Sequence, residues 1–171
     1  MAGLDEAHRV AAVVRDAGGQ VVGRTRLQKI AYFLEASGLG TGFRFRYKHY
    51  GPYSEQLAAA AQHAAALKLI VENESVANWG GLYSIFHSEM PPDPDSNPAR
   101  IQISQEMVNA DAVELELAAT ALFLAHEGFD DPWSETARRK PDKADGDRLE
   151  KAKRLYQSLQ RIRTPHPLPE L

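Results

Sequence analysis

The residues of this chain whose types could do chemistry are six histidines, two carboxylate pairs, a glycine-rich stretch and a row of cations set between aromatics. A zinc-type centre needs ligands at fixed spacing. His8, His49, His63, His87, His126 and His166 show neither HExxH nor HxH, and there is no cysteine to join them. Acid–base work needs two carboxylates that converge. Glu114 and Glu116 stand two apart on a helix and point to different sides, which reads as a solvated face, and Asp130-Asp131 reads as a helix terminus. Nucleophilic catalysis would need a serine with a base and an orienting group, and no GxSxG elbow occurs. Gly38-Leu39-Gly40-Thr41-Gly42 precedes a strand, whereas a phosphate cradle follows a strand and opens a helix. No catalytic residue, metal or cofactor is expected.

The strongest recognition signal is FRFRYKHYGPYS, residues 43–54. Phe43, Phe45, Tyr47 and His49 alternate with Arg44, Arg46, Lys48 and Tyr50, the period of a strand with one apolar face. The simplest reading buries the aromatics and leaves the cations wet. Such a row can also meet a protein surface or track the phosphates of a nucleic acid. A second basic cluster, Arg138-Arg139-Lys140-Pro141, either meets an acidic partner, returns onto the acidic helix at 104–127, or stays solvated.

Net charge is −3 over 171 residues, but it comes in blocks. Residues 1–68 are near +4, residues 69–135 near −12 and residues 136–163 near +6. The acidic middle opposes any extended polyanion footprint. A composition 43% hydrophobic and 25% charged is that of a globular chain. The lack of cysteine excludes disulfides and suits a reducing interior. The charged N-terminal residues lack the apolar stretch of a signal peptide, and no run approaches a membrane span, so a cytoplasmic protein is expected.

The elements that must carry these residues are mostly helical. Leu4, Ala7, Val10, Ala11 and Val14 give a helix over 4–17, stopped by Gly18-Gly19. Thr25-x-x-Gln28 reads as a capping box opening a second helix, with Leu27, Ile30, Ala31 and Leu34 inward and Lys29 and Tyr32 on the other side. Residues 43–49 form a strand, broken by Gly51-Pro52, and Ser54 caps an alanine-rich helix over 55–68. Two strands at 69–71 and 82–86 flank turn-prone Glu72-Asn73-Glu74 and Trp79-Gly80-Gly81. A proline-rich linker spans 90–103, one long helix 104–127, a short segment surrounds Trp133, a last helix covers 145–163, and the tail 164–171 frays. The fold class is therefore mainly α with a small antiparallel β-sheet. Its organisation is a winged-helix-like core over 1–89, with a wing around Trp79, and C-terminal helices over 104–163 packed on or beside it.

GRTRLQKIAYFLE followed by FRYKHYGPYSEQL resembles the SocA/Panacea antitoxin-like superfamily. The shared pattern falls on Leu27, Lys29, Ile30, Tyr32 and Phe33, then Tyr50, Gly51 and Pro52. It covers residues 20–70, and ARRKPDKADGDRLEKAKRLY looks like the C-terminal part of the YwgA-like branch. Tyr53 stands where Panacea antitoxins usually carry a small aliphatic residue, which also favours that branch.

The resemblance implies a non-enzymatic protein-binding module, antitoxin-like or a regulatory adaptor, that neutralises a partner protein or presents it for proteolysis. The partner would be a protein, such as a toxin. The expected contact residues are Lys29, Tyr32, Arg44, Arg46, Lys48, Tyr50, Gly51, Pro52 and Tyr53, with Lys29 and the Arg44/Arg46/Lys48 row bordering a groove. The alternative is a winged-helix DNA-binding transcriptional regulator, although the helix over 55–68 offers only Gln56, Gln62, His63 and Lys68 for base reading.

Overall fold

A computed structural model describes residues 2–40 and 42–171. The first helix, α1 (Ala2–Asp16), ends where Gly18 and Gly19 take the left-handed backbone that L-residues avoid. The chain then enters β1 (Gln20–Val22), a strand too short for its alternation to be read in the sequence, and continues into α2 (Arg24–Ala36). A hairpin follows, formed by β2 (Arg46–Lys48) and β3 (Gly51–Tyr53). After it come α3 (Glu55–Ala66) and a longer hairpin of β4 (Val71–Val76) and β5 (Leu82–His87). Four helices complete the chain: α4 (Pro98–Val108), α5 (Ala112–His126), α6 (Pro132–Arg139) and α7 (Arg148–Gln160).

The fold is mainly α with a small antiparallel sheet. Its strand order is β1-β5-β4, with Val21 opposite Phe86, and β2-β3 forms a separate ribbon. Val21 and Phe86 are both fully buried and seat the sheet on the helices. The central element is α5. Its sequence AVELELAATALFLAH is apolar around most of its circumference, so it is covered on several sides, by α2, β3, α6 and α7. One hydrophobic core runs through both halves of the chain, from Val10 and Phe33 to Leu122 and Tyr156. The C-terminal helices therefore pack on the N-terminal core.

Several expectations need correction. The single helix at 104–127 is two helices, because Asp111 caps α5 by accepting from the Val113 and Glu114 amides at 2.8 and 3.2 Å. Arg26 takes the Ala110 carbonyl in the gap between them. The linker ends at Asn97, whose side chain caps the Ala99 amide, with Pro98 at the first turn of α4. Residues 72–74 continue β4 in place of turning, and the turn of the β4–β5 hairpin lies over 77–81. The strand at 43–49 shrinks to β2, and Gly51-Pro52 begins its partner strand. The tail is docked, not frayed: Leu168 is buried, and the His166 amide donates to the Ser37 carbonyl.

Candidate functional site

The expected capping-box glutamine of α2 has another use. Gly23 occupies the N-cap, and Gln28, buried, reaches across to the start of α3. Its amide nitrogen donates to the Ser54 carbonyl at 2.9 Å, and its amide oxygen accepts from the Ser54 amide at 2.8 Å. This two-point clamp acts as a short piece of strand and holds the end of the β2–β3 hairpin. Ser54 in turn caps α3 by accepting from the Leu57 amide, as its position predicts.

Lys29 lies one residue on and also turns inward. It is 1% exposed, and its Nζ donates to the Pro52 carbonyl at 2.8 Å. Lys140 Nζ, at the end of α6, donates to the His49 carbonyl at 2.9 Å and to Glu116 Oε1 at 2.7 Å. Lys143 donates to both oxygens of Glu116, at 2.8 and 2.6 Å. The hairpin is thus pinned from beneath at two carbonyls by lysines gathered about one buried carboxylate. Burial pushes the Lys29 ammonium down to about 7; Glu116 opposes this, while Lys140 and Lys143 add to it.

The Tyr-Gly-Pro sequence fits this support. Gly51 has φ +86°, and a Cβ there would lie 2.5 Å from Thr120 Oγ1 of α5. Only glycine gives both the backbone and the clearance. Pro52, opposite Tyr47, sits in a ribbon of two strands, where a missing N–H is tolerated.

These positions correct the expected contact set. Lys29, Tyr32, Gly51 and Pro52 are buried and hold the hairpin in place. Lys29 fails to border a groove because the Pro52 carbonyl draws it inside. The Tyr32 ring packs edge-on to Phe45 at 5.3 Å, its hydroxyl meets His126 Nδ1 at 3.4 Å, and burial raises its pKa.

The hairpin's other residues do face outward. Arg44 and Arg46 are exposed, while Phe43 is buried and Phe45 half-buried, as the alternation implies. Lys48 pairs with Glu55 and lies 5.0 Å from the Tyr53 ring. Tyr50, at the hairpin tip, is 58% exposed.

Arg44, Arg46 and Tyr53 line an open cleft of about 550 Å³. Tyr53 and Arg24 line a smaller pocket beside it, and Arg24, Tyr50, Trp79 and Leu82 line a groove of about 500 Å³ beside the β4–β5 hairpin. Arg24 fixes this geometry by donating to Glu72 at 2.8 and 3.0 Å, which ties the start of α2 to β4. Burial would raise the Glu72 pKa, but hydrogen bonds from Ser84 and Arg24 outweigh it and hold the carboxyl below its ordinary value.

Sequence reasoning missed much of this. Trp79 is 78% exposed and Leu82 63%, a prominent apolar pair that the sequence placed only in a turn and a strand. Glu116, expected on a solvated face, is buried between two lysines. Of the expected basic cluster, Arg138 and Arg139 pair with Glu135, holding its pKa down to about 2, whereas Lys140 returns onto α5. Among the described residues no group of acidic, histidine or cysteine side chains could hold a metal, and no helix is long and apolar enough to cross a membrane. The outward face of α3 presents Glu55, Ala59, Gln62, His63 and Ala66. No protein-family model, curated protein or solved structure matches this chain.

Proposed function

We propose that the chain is a protein-binding module whose contact face runs from the wing residues Trp79 and Leu82, over Tyr50 and Arg24, to Tyr53, Arg44 and Arg46. The observation that carries this is the exposure of Trp79 beside the groove it shares with Tyr50 and Leu82. A large aromatic held in water next to a concave, partly apolar surface is the usual anchor of a protein interface. Arginine and tyrosine around it supply the polar rim such interfaces use. The resemblance of residues 20–70 to SocA/Panacea antitoxin-like proteins supports the same reading, with a partner that is neutralised or handed to a protease. The buried motif residues would then act by presenting the hairpin rigidly, not by touching the partner.

DNA reading has less support. The outward face of α3 carries Glu55, two alanines, Gln62 and His63, so it has no arginine or lysine for phosphates and only two side chains for base edges.

The test is affinity capture from the organism's own lysate at low and high salt, with wild type and two variants. One protein retained at high salt, and weakened about tenfold or more by Trp79→Ala and by Arg46→Glu, is the expected result. Retention unaffected by both variants would remove this face from the interface. Nucleic acid retained only at low salt would favour the regulator instead.

A further inference from the structure

A separate cleft of about 540 Å³ opens between the β2–β3 hairpin and the loop joining α6 to α7. Its chemistry is cationic. Arg139, Lys140, Lys143 and the exposed His49 are among the residues that line it. Three carboxylates are near: the exposed Asp142 in the lining, Glu116 bonded to both lysines, and Glu135 bonded to Arg139.

Lys140 and Lys143 share Glu116 as their buried counter-charge, and the charges of all three act on the buried Lys29 amine nearby. Lys140 and Lys143 each donate to two acceptors, which leaves each ammonium one further hydrogen. Arg139 is held in position by Glu135 at 2.9 Å, and its guanidinium carbon lies 5.0 Å from the Tyr47 ring and 5.3 Å from that of Phe129. A set of pre-positioned donors with surplus positive charge, opening onto a cleft, matches an oxyanion. Buried charge of one sign is destabilising until an opposite charge meets it, so such a ligand would also relieve the protein.

We propose that this cleft binds an oxyanion, a carboxylate or phosphate group, held by Lys140, Lys143, Arg139 and His49. The site does not depend on the protein-docking face, although Lys143 Nζ lies 4.6 Å from the Tyr50 ring and so joins the two.

The full chain, labelled with nitrogen-15, would be titrated with sodium phosphate and separately with sodium succinate. Each titration is set against sodium chloride at matched ionic strength and pH 7. Saturable shifts of the His49 amide and those of residues 139–143 are expected. Saturation by phosphate alone assigns the ligand class to phosphates, by succinate alone to carboxylates, and by both to either. Lys143→Gln should weaken binding about tenfold, while Arg163→Gln, at an exposed position outside both sites, leaves it unchanged. Because Lys143 also pairs with Glu116, His49→Ala at the exposed tip gives an independent check, with a loss of about threefold. Shifts that follow chloride, or an affinity unaltered in both variants, would overturn the proposal.

Discussion

The Lys29 ammonium is opposed by burial and by two neighbouring lysines and favoured by Glu116, which brings its pKa from the ordinary 10.5 to about 7. The unfolded chain therefore holds more protons than the folded one between those values. By linkage, this group's contribution to stability is complete above 10.5 and is lost as pH falls through about 7. Above the ordinary tyrosine value of 10.0 an opposite trend enters, because burial raises the pKa of both Tyr32 and Tyr156 and penalises their ionisation. The clean window is thus pH 7 to about 9.5. Over it, the urea midpoint of wild type should rise relative to that of Lys29→Met, in which the titrating group is gone. Parallel midpoints across the window would mean that Lys29 keeps an ordinary lysine's proton affinity.

At the scale of elements, the β2–β3 hairpin is a short ribbon that survives because other parts of the chain hold it: Gln28 at one end, Lys29 and Lys140 beneath. Gly51 is its tightest point. Gly51→Ala should cost about 1–2 kcal/mol for the left-handed backbone and about 1–3 kcal/mol for crowding Thr120. In the double variant with Thr120→Ala only the crowding term should be recovered, since removing Oγ1 leaves the backbone strain in place. A double-mutant cycle by urea denaturation reads this coupling directly. Additive losses would mean that the methyl group finds room elsewhere. The start of α3 could be read from Ser54, because a cap is a local interaction. The hairpin could not, since Gly51-Pro52 reads as a break unless the carbonyl-binding lysines are known. Gln28 misled for a related reason: Thr25-x-x-Gln28 has capping-box spacing, yet the amide's partners lie 26 residues away. Glu116 and its lysines are 24 and 27 residues apart and leave no local pattern.

For the whole molecule, the blocks of opposite charge largely answer one another inside the fold. Acidic Glu116 lies under the basic lysines of the C-terminal part. Arg100, the one arginine of the acidic block, crosses to Asp16 at 2.7 Å and to the Leu39 carbonyl. Burial would raise the Asp16 pKa, but its bonds from Arg15, Arg100 and Ser96 win and hold it below the ordinary value. The same interdependence holds for apolar contacts. Phe33 of α2 meets Tyr156 of α7 at 6.2 Å, and Trp133 of α6 meets the same tyrosine edge-on at 6.0 Å. The sequence, by contrast, left the C-terminal helices on or beside the core across a proline-rich linker, because composition reports where a chain is polar and not which faces meet. A shared core unfolds as a unit. In a Trp79→Phe variant the remaining tryptophan is the buried Trp133, in the C-terminal part, while far-UV circular dichroism averages over all helices. Trp133 emission and circular dichroism should therefore lose their native signals at one urea midpoint. Separate midpoints would show that α5–α7 melt apart from α1–α3, and a lower Trp133 midpoint would mean that the lysine support of the hairpin is lost before the sheet.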